Sequence, residues 1–126
     1  DVYKRQGYVR TSSKDHGRQN QIEGKLIDNA KIVVIEDLIS TAGSAVEVIE
    51  VLRKEGAEVL GIASIFTYGM RKATERLAEH NVRNVSASDY DTLLSVAVAE
   101  NYINDSDVEA LLHFRNNPSD ESWMSK

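Results

Sequence analysis

Two adjacent carboxylates, Glu36 and Asp37, stand just ahead of a turn of small and hydroxyl-bearing residues at 40–44. The turn opens a segment with helical apolar spacing, so its backbone N–H groups would lie at a helix N-terminus. Such a turn carries partial positive charge and suits a phosphate. The carboxylates would repel a bare phosphate, so we expect them to face sugar hydroxyls or a divalent cation. These residue types indicate a phosphate site with two carboxylates beside it.

A second group of chemistry-bearing residues lies upstream, in a stretch without any apolar side chain at 11–21. A polar stretch of this length cannot bury itself and is typical of a mobile surface loop. Arg10, which precedes it, and Lys14, His16 and Arg18 within it are basic or titratable. Such groups would suit a lid over a diphosphate. The alternative is a solvated polar hairpin whose charges serve solubility.

The elements that must position these residues can be predicted from apolar spacing. Residues 32–35 form a β-branched run that predicts a strand buried on both faces, with the carboxylates where it leaves the sheet. Residues 43–55 have helical periodicity and end before a glycine, and residues 58–66 predict the next buried strand. This order predicts a right-handed crossover between parallel strands. Ligands bind beyond the carboxyl ends of such strands, which places the site near the loop at 67–71.

The rest of the chain shows only the spacing of a packed core. It predicts a helix over 71–80, a short strand over 82–86, and a helix through Val98 with Ser88 and Asp89 at its N-cap. A final helix is predicted to start at Asp105 or Ser106 and to run into a polar tail. His80 and His113 are predicted to be surface helix residues rather than ligands, and Trp123 is given no function.

The composition excludes several classes of protein. The chain has 126 residues, is 41% hydrophobic and 28% charged, and carries a net charge of −5, as one small globular domain would. It has no cysteine, which excludes disulfides and thiolate zinc sites and fits a reducing cytoplasm. No apolar run is long enough to span a bilayer, and the three histidines are too scattered for a metal cluster. An acidic balance without a basic run argues against a nucleic-acid partner.

The segment VVIEDLISTAGS, residues 33–44, resembles the phosphoribosyl-diphosphate (PRPP) signature of type I phosphoribosyltransferases. Ala42 stands where many members have glycine, and we expect a negative φ to accommodate its methyl group. The upstream pattern YVR…KDHG…IEG is similar to the catalytic loop of the orotate phosphoribosyltransferase family, with Thr11 where many members carry a lysine. The pattern SDYDTLL…A…YI resembles the C-terminal region of that family, so the resemblance covers nearly all of residues 7–114.

This resemblance implies an α/β fold, namely a parallel-sheet, Rossmann-like type I phosphoribosyltransferase core with its N-terminal part missing. The implied reaction transfers the 5-phosphoribosyl group from PRPP to orotate, giving orotidine 5′-monophosphate and diphosphate in de novo pyrimidine (UMP) biosynthesis. The resemblance further implies Mg²⁺ held through PRPP rather than directly by the protein. It implies a cytoplasmic homodimer whose loop reaches the neighbouring active site, with no nucleic-acid or membrane partner.

The resemblance also assigns roles to individual residues. Arg10, Lys14 and His16 would contact the diphosphate, with Lys14 contributing most to catalysis. Glu36 and Asp37 would grip the ribose hydroxyls near the charge that develops on the sugar. The turn would hold the 5′-phosphate, and its first residue, Ser40, would also meet orotate. The predicted catalytic set is Lys14, Arg10, His16 and Asp37, and the predicted PRPP site comprises Arg10, Lys14, His16, Glu36, Asp37, Leu38, Ile39, Ser40, Thr41, Ala42, Gly43 and Ser44.

Residues 1–6, DVYKRQ, are predicted to be a sequencing-adapter artefact, because one choice of codons for them matches a transposon-end adapter used for sequencing libraries. The alternative is a native polar strand edge. On the first interpretation the chain is the C-terminal part of a longer protein. Its domain then comprises residues 7–115, with a mobile catalytic loop at 11–23, followed by a polar tail at 116–126.

Three other interpretations compete with this one. A purine-type phosphoribosyltransferase would share residues 36–44 but should lack the KDHG loop. A PRPP-sensing regulator that binds RNA would keep the signature and lose catalysis. A chain without its upstream strands could also be folded and inactive. The residue that grips orotate is the least defined, and Arg71 is a candidate that could equally be a surface charge at a helix start.

Overall fold

A computed structural model of the chain describes residues 5–10 and 21–125. Thr11, Lys14, His16 and Arg18 therefore lie outside the described residues. The elements, in chain order, are β1 (Tyr8–Val9), β2 (Ile22–Glu23), β3 (Lys31–Ile39), α1 (Gly43–Lys54), β4 (Glu58–Thr67), α2 (Arg71–Glu79), β5 (Asn84–Asp89), α3 (Tyr90–Ala99), α4 (Asp105–Asn116) and a 3₁₀ helix (Glu121–Ser125).

Strands β3, β4 and β5 form a parallel sheet in that order. The β3–β4 pairing runs from Lys31 opposite Glu58 to Ile39 opposite Thr67, with a shift of register between Ile32 and Val33. Helices α1 and α2 supply the long connections that parallel neighbours require. The predicted α/β fold with a parallel sheet is confirmed.

The core lies between one face of this sheet and the helices α1 and α2. Ile39 is 2% exposed and Ile49 is fully buried. The strands contribute Val34, Ile39 and Ile62, and the turn, helices and connections contribute Ala42, Ala45, Val46, Ile49, Leu52, Ala57, Ala73 and Leu77. Because α1 packs on β3 and β4, the turn that starts α1 is held at the carboxyl edge of the sheet.

The prediction that the first long strand is buried on both faces is wrong for the described residues. Val33 and Ile35 in β3 are 49% and 73% exposed. Successive strand residues alternate between faces, and the helices after β3 and β4 pack on one face only. The opposite face carries exposed apolar side chains, here called the open apolar face: Val33 and Ile35 in β3, Leu60 and Ile65 in β4, and Val85 in β5.

The short strands β1 and β2 pair antiparallel on either side of residues 11–20, with Val9 opposite Ile22. The Arg10 N–H donates to the Gln21 carbonyl at 2.6 Å. The predicted loop at 11–23 is therefore wrong at its C-terminal end, because Ile22 and Glu23 belong to a strand. Val9 and Ile22 are partly buried against the core, so the paired strands pack onto the rest of the domain.

The C-terminal elements differ from prediction mainly at β5. This strand begins at Asn84 and continues to Asp89, beyond the predicted 82–86. The Asp89 carboxylate accepts the Thr92 N–H at 2.8 Å and caps α3, which confirms the predicted N-cap. In the segment predicted as a polar tail, the Trp123 ring packs 5.4 Å from the Phe114 ring. The tail is thus attached to α4 through its aromatic residue.

Candidate functional site

The acidic pair lies inside β3, not beyond its end as the sequence predicted, because β3 continues to Ile39. Glu36 pairs with Ser64, and the ladder continues to Thr67 on β4. Neighbouring residues in a strand point to opposite faces, and burial agrees with this: Glu36 is half-buried and Asp37 is exposed. The longer strand follows from the backbone hydrogen bonds that β4 continues to offer after the apolar run ends.

The two carboxylates differ in their surroundings as well as in their direction. Burial raises the pKa of Glu36 above its ordinary value of 4.5, and the neighbouring charge of Asp37 raises this pKa further. One carboxylate oxygen of Asp37 accepts the Leu38 N–H at 2.8 Å. Hydrogen-bond donors or a cation placed near the pair would favour the ionised form of Glu36. The pair is therefore suited to a ligand rich in hydroxyl groups or accompanied by a cation.

A row of polar side chains crosses the sheet next to Glu36. The register aligns Glu36 with Ser64 and Ser64 with Ser86. Ser64 is 6% exposed, donates to the side-chain oxygen of Asn84 at 2.8 Å, and is hydrogen-bonded to the Ser86 hydroxyl. The Asn84 amide donates to the same Ser86 oxygen at 2.9 Å. These groups satisfy one another, so they stiffen the sheet beneath Glu36.

The hydroxyl-rich turn becomes the N-terminus of α1. Ala42 is the N-cap residue with φ 64° and ψ 12°, so the expected negative φ is wrong. The left-handed conformation lets the chain reverse from β3 into α1 within a few residues. The ladder starts with the Val46 N–H donating to the Ala42 carbonyl at 3.0 Å. The N–H groups before Val46 have no acceptor within the helix and can bind an anion.

Arg76 of α2 holds this turn from the side, and sequence reasoning missed it. Its Nη1 donates to the Thr41 carbonyl at 2.9 Å. The same nitrogen lies 3.1 Å from the position that a Cβ on Gly43 would occupy. The available signal in the sequence was a single basic residue inside an amphipathic helix, which does not indicate a partner thirty-five positions away.

The loop after β4 lies beside the turn, as predicted. The Tyr68 N–H donates to the Ile39 carbonyl at 3.0 Å, which joins the ends of β3 and β4. Arg71 does not offer an unpaired charge to the carboxyl edge of the sheet, because its Nε forms an ion pair with Glu75 at 2.7 Å and its side chain is 87% exposed. The structure therefore places Arg71 as a surface charge at the start of α2 and gives no support to an orotate-binding role.

A cluster around Arg115 fixes the same loop from the other side, and the sequence did not predict it. The Phe66 and Tyr68 rings are 5.4 Å apart, and Tyr90 lies 5.4 Å from Tyr68. Arg115 of α4 donates to the Tyr68 carbonyl at 3.3 Å and to Asp91 at 2.9 Å. Helix α4 thus contributes to the shape of the edge without carrying a residue of the predicted site.

Of the basic residues predicted to act in the lid, the structure describes only Arg10, at the base of the lid. Arg10 forms an ion pair with Glu23, and its side chain is 59% exposed. It lines a small crevice between the β1–β2 hairpin and α1, together with Glu47 and Val48. The positions of Lys14 and His16 lie outside the described residues, so their roles stay predictions.

Within residues 5–10 and 21–125, no group of three or more acidic, histidine or cysteine side chains is arranged to hold a metal ion. Over the same residues, none of the helices has both the length and the apolar character needed to cross a bilayer. A groove of about 430 Å³ between α3 and α4, lined by residues that include Leu94, Val98, Val108 and Leu112, contains no residue of the predicted site.

Comparison with known proteins identifies the family. Residues 3–99 match the model of the phosphoribosyl transferase domain. The orotate phosphoribosyltransferase of Halalkalibacterium halodurans is 47% identical over 119 residues, covering 94% of this chain and 57% of the relative. That of Bacillus cytotoxicus is 50% identical over 118 residues, covering 94% of this chain and 56% of the relative. The chain therefore spans little more than half the length of these curated relatives.

Solved structures lead to the same family. The UMP synthase of Leishmania donovani superposes with a TM-score of 0.69 at 29% identity, over 85% of this chain and 23% of that one. The orotate phosphoribosyltransferase of Aeropyrum pernix gives a TM-score of 0.62 at 37% identity, over 71% of this chain and 49% of that one. The resemblance derived from the acidic pair, the turn and the upstream loop is thus confirmed, and the chain belongs to the phosphoribosyltransferase family.

Proposed function

We propose that the protein containing this chain transfers the 5-phosphoribosyl group from PRPP to orotate, giving orotidine 5′-monophosphate and diphosphate. The observation that carries this proposal is the position of the signature: carboxylates and an anion-binding turn adjoin at the carboxyl edge of a parallel sheet. The names of relatives about half identical to this chain support orotate as the acceptor. The enzyme would serve UMP synthesis in the cytoplasm.

The reaction substitutes one group at the anomeric carbon of ribose. The bond from C1′ to the diphosphate oxygen breaks, its electron pair leaves with diphosphate, and a nitrogen of orotate forms the new bond to C1′. Positive charge develops on the ribose while negative charge grows on the leaving group. Groups that stabilise these charges more strongly in the transition state than in bound PRPP accelerate the reaction.

The residues would divide this work between the sheet edge and the upstream loop. Glu36 and Asp37 would hold the ribose hydroxyls and lie near the positive charge on the sugar. The turn at 40–44 would bind the 5′-phosphate through backbone N–H groups and hydroxyls, and Ser40 would also meet orotate. Lys14 would carry the largest share of leaving-group stabilisation, assisted by Arg10 and His16.

Magnesium would enter with the substrate. Among the described residues, no three acidic, histidine or cysteine side chains are grouped to bind a metal ion. Mg²⁺ is commonly bound through substrate phosphates with few protein ligands. We therefore assign its oxygen ligands mainly to PRPP rather than to the protein. The ion would neutralise charge on the diphosphate.

The direct test is an activity assay of the complete protein that contains this chain. Loss of orotate in the presence of PRPP and Mg²⁺ is followed by ultraviolet absorbance, with adenine, guanine and hypoxanthine as competing acceptors. We expect turnover with orotate and none with purine bases. Turnover with a purine alone would assign the purine-type activity, and PRPP binding without turnover, combined with RNA binding, would assign a regulator.

The proposed homodimer with shared active sites has a separate test. If the lid of one subunit covers the site of its neighbour, the two variants damage different parts of an active site. Lys14→Ala removes a lid residue, and Asp37→Ala removes a residue at the sheet edge. A mixed dimer then contains one site with both residues intact. We expect the mixture to recover part of the activity that both parents lack, and a proven mixed dimer without activity would contradict the shared site.

A further inference from the structure

Arg76 stands out among the arginines of the helices because no described carboxylate forms an ion pair with it. Arg53 pairs with Glu50 at 3.5 Å, Arg71 with Glu75 at 2.7 Å, and Arg115 with Asp91 at 2.9 Å. Within residues 5–10 and 21–125, the hydrogen bond of Arg76 goes instead to a neutral carbonyl, that of Thr41. Its positive charge is therefore not cancelled by a neighbouring carboxylate.

The place where this charge lies is the turn that starts α1. Arg76 Nη1 donates to the Thr41 carbonyl at 2.9 Å and lies 3.1 Å from the position that a Cβ on Gly43 would occupy, so the guanidinium lies against the residues on either side of Ala42. Arg76 is half-buried and is flanked in α2 by the buried residues Ala73 and Leu77. The side chain is therefore partly shielded from solvent, with its head hydrogen-bonded to the turn.

The turn requires such support because its own conformation is unfavourable. Ala42 is held at φ 64°, a region that residues other than glycine rarely occupy. No side chain caps the helix at this residue, and the first turn of α1 contains no acidic side chain. A hydrogen bond to the carbonyl just before Ala42 holds the strained residue in place, and the added charge raises the positive potential where an anion would bind.

From this arrangement we propose that Arg76 is a positioning residue for phosphate binding. It keeps the turn at 40–44 in the shape that binds the 5′-phosphate and adds an uncancelled positive charge beside it. The inference rests on the proposed function, since it takes the turn as the 5′-phosphate site. It goes further in assigning part of that site to α2, a helix outside the signature.

Arg53 provides a matched control. It also joins α1 to α2 through backbone carbonyls, donating to His80 at 2.5 Å and to Asn81 at 3.2 Å. These bonds lie at the C-terminal end of α1, away from the turn. Removing Arg76 costs one hydrogen bond to a carbonyl, whereas removing Arg53 costs two and the ion pair with Glu50, so Arg53→Gln should lower the thermal midpoint at least as much as Arg76→Gln. Only Arg76 should affect phosphate binding.

The experiment measures ribose 5-phosphate binding to the complete protein that contains this chain by isothermal titration calorimetry, for the wild type, Arg76→Gln, Arg76→Lys and Arg53→Gln. We expect Arg76→Gln to weaken binding by about tenfold, a usual effect of losing a charged hydrogen bond. Arg76→Lys, which keeps the charge but not the geometry, should weaken it by about threefold. Arg53→Gln should bind within about twofold of the wild type, and added salt should reduce the difference between wild type and Arg76→Gln.

Three other results would each contradict a specific part of this proposal. If both Arg76 variants bind within about twofold of the wild type, Arg76 does not position the turn, although the phosphate site stands. If Arg53→Gln weakens binding as much as Arg76→Gln, the effect is one of general stability and the role of Arg76 is wrong. If the wild type does not bind ribose 5-phosphate, the phosphate site and this inference both fail. Should Arg76→Gln not unfold cooperatively, Arg76→Lys decides by the same comparison with Arg53→Gln.

Discussion

The two carboxylates of the signature are neighbours in sequence and unlike in environment. Glu36 is half-buried on the side of the sheet where the helices pack, whereas Asp37 is exposed. Asp37 can meet a ligand with little change in its own hydration. Glu36 has already lost part of its hydration and has a raised pKa. Such a group is kept at a cost in stability, which is common where a residue serves a ligand rather than the fold.

This cost predicts a stability that depends on pH. Because the folded pKa of Glu36 lies above its ordinary value of 4.5, the unfolded chain releases this proton first as the pH rises. The ionised group therefore costs stability, and the cost develops between pH 4.5 and the raised pKa and persists at higher pH. Glu36→Gln should raise the thermal midpoint at pH 7 by at most a few degrees, since solvent screens a half-buried group.

The Glu36→Gln comparison is made by calorimetry from pH 3.5 to 8, with Glu58→Gln, an exposed residue at the start of β4, as the control. The difference between Glu36→Gln and the wild type should vanish below pH 4.5. The same variant should bind ribose 5-phosphate about tenfold more weakly or worse, because a carboxylate acceptor for the ribose hydroxyls is lost. A variant that is less stable at pH 7 would contradict this account of Glu36.

Lys14 lies in the segment predicted from sequence to be the catalytic loop, and the prediction for it concerns the leaving group. In the complete enzyme, Lys14→Ala should lower kcat by at least ~100-fold, the scale seen when an electrostatic donor to the transition state is removed. Binding of PRPP should stay largely intact. The matched control is Lys25→Ala, a lysine just beyond the β1–β2 hairpin and outside the predicted site. A Lys14→Ala enzyme with full turnover would exclude the lid mechanism.

At the scale of elements, the turn between β3 and α1 combines strain with burial at one residue. Ala42 has φ 64° and is 4% exposed. The left-handed conformation costs an alanine roughly 1–2 kcal/mol, while burying its methyl group contributes about 0.8 kcal/mol. Replacing Ala42 by glycine removes both contributions, and they have opposite signs.

We therefore expect Ala42→Gly to change the free energy of unfolding by less than about 1 kcal/mol. The control is Ala45→Gly in the first turn of α1, a residue that is 1% exposed. There the methyl burial and the helix propensity of alanine are both lost, and the cost should be about 2 kcal/mol. Urea denaturation measures both values. Equal losses in the two variants would show that residue 42 is not held in the left-handed region.

At the scale of the whole molecule, the sheet has one face packed by helices and one face in solvent. The open apolar face carries Ile35 at 73% and Val85 at 57% exposure, on strands at opposite edges of the sheet. A contiguous apolar patch of this kind is unusual on the free surface of a soluble protein. It should bind an apolar dye.

The corresponding test uses the fluorescence of anilinonaphthalene sulfonate with the 126-residue chain. The double variant Ile35→Thr, Val85→Thr should lose more than half of the dye signal. Its free energy of unfolding should change by less than about 1 kcal/mol, because both side chains are exposed and threonine suits a strand. Ile27→Thr is the control, since Ile27 is 61% exposed but lies outside the sheet. An unchanged dye signal in the double variant would show that this face is not the apolar surface in solution.

The sequence by itself determined the local parts of this protein. The apolar run before Glu36, the helical spacing after Gly43 and the aspartate before α3 each act through neighbours along the chain. Strand, turn, helix and crossover were therefore predictable, and so was the meeting of the turn with the loop after β4. The signature carried enough of these local features together to indicate the family.

Tertiary structure alone decided what depends on partners distant in sequence. Pairing with β4 extended β3 through the acidic pair, and pairing with the same strand carried β5 on to Asp89, although its serines have little apolar signal. Packing of α1 and α2 on one face left Ile35 exposed, which apolar spacing could not show. The bond from Arg76 to Thr41 spans thirty-five positions. Backbone hydrogen bonds and packing between elements determined each of these features. The residue pattern within a single element therefore could not predict them.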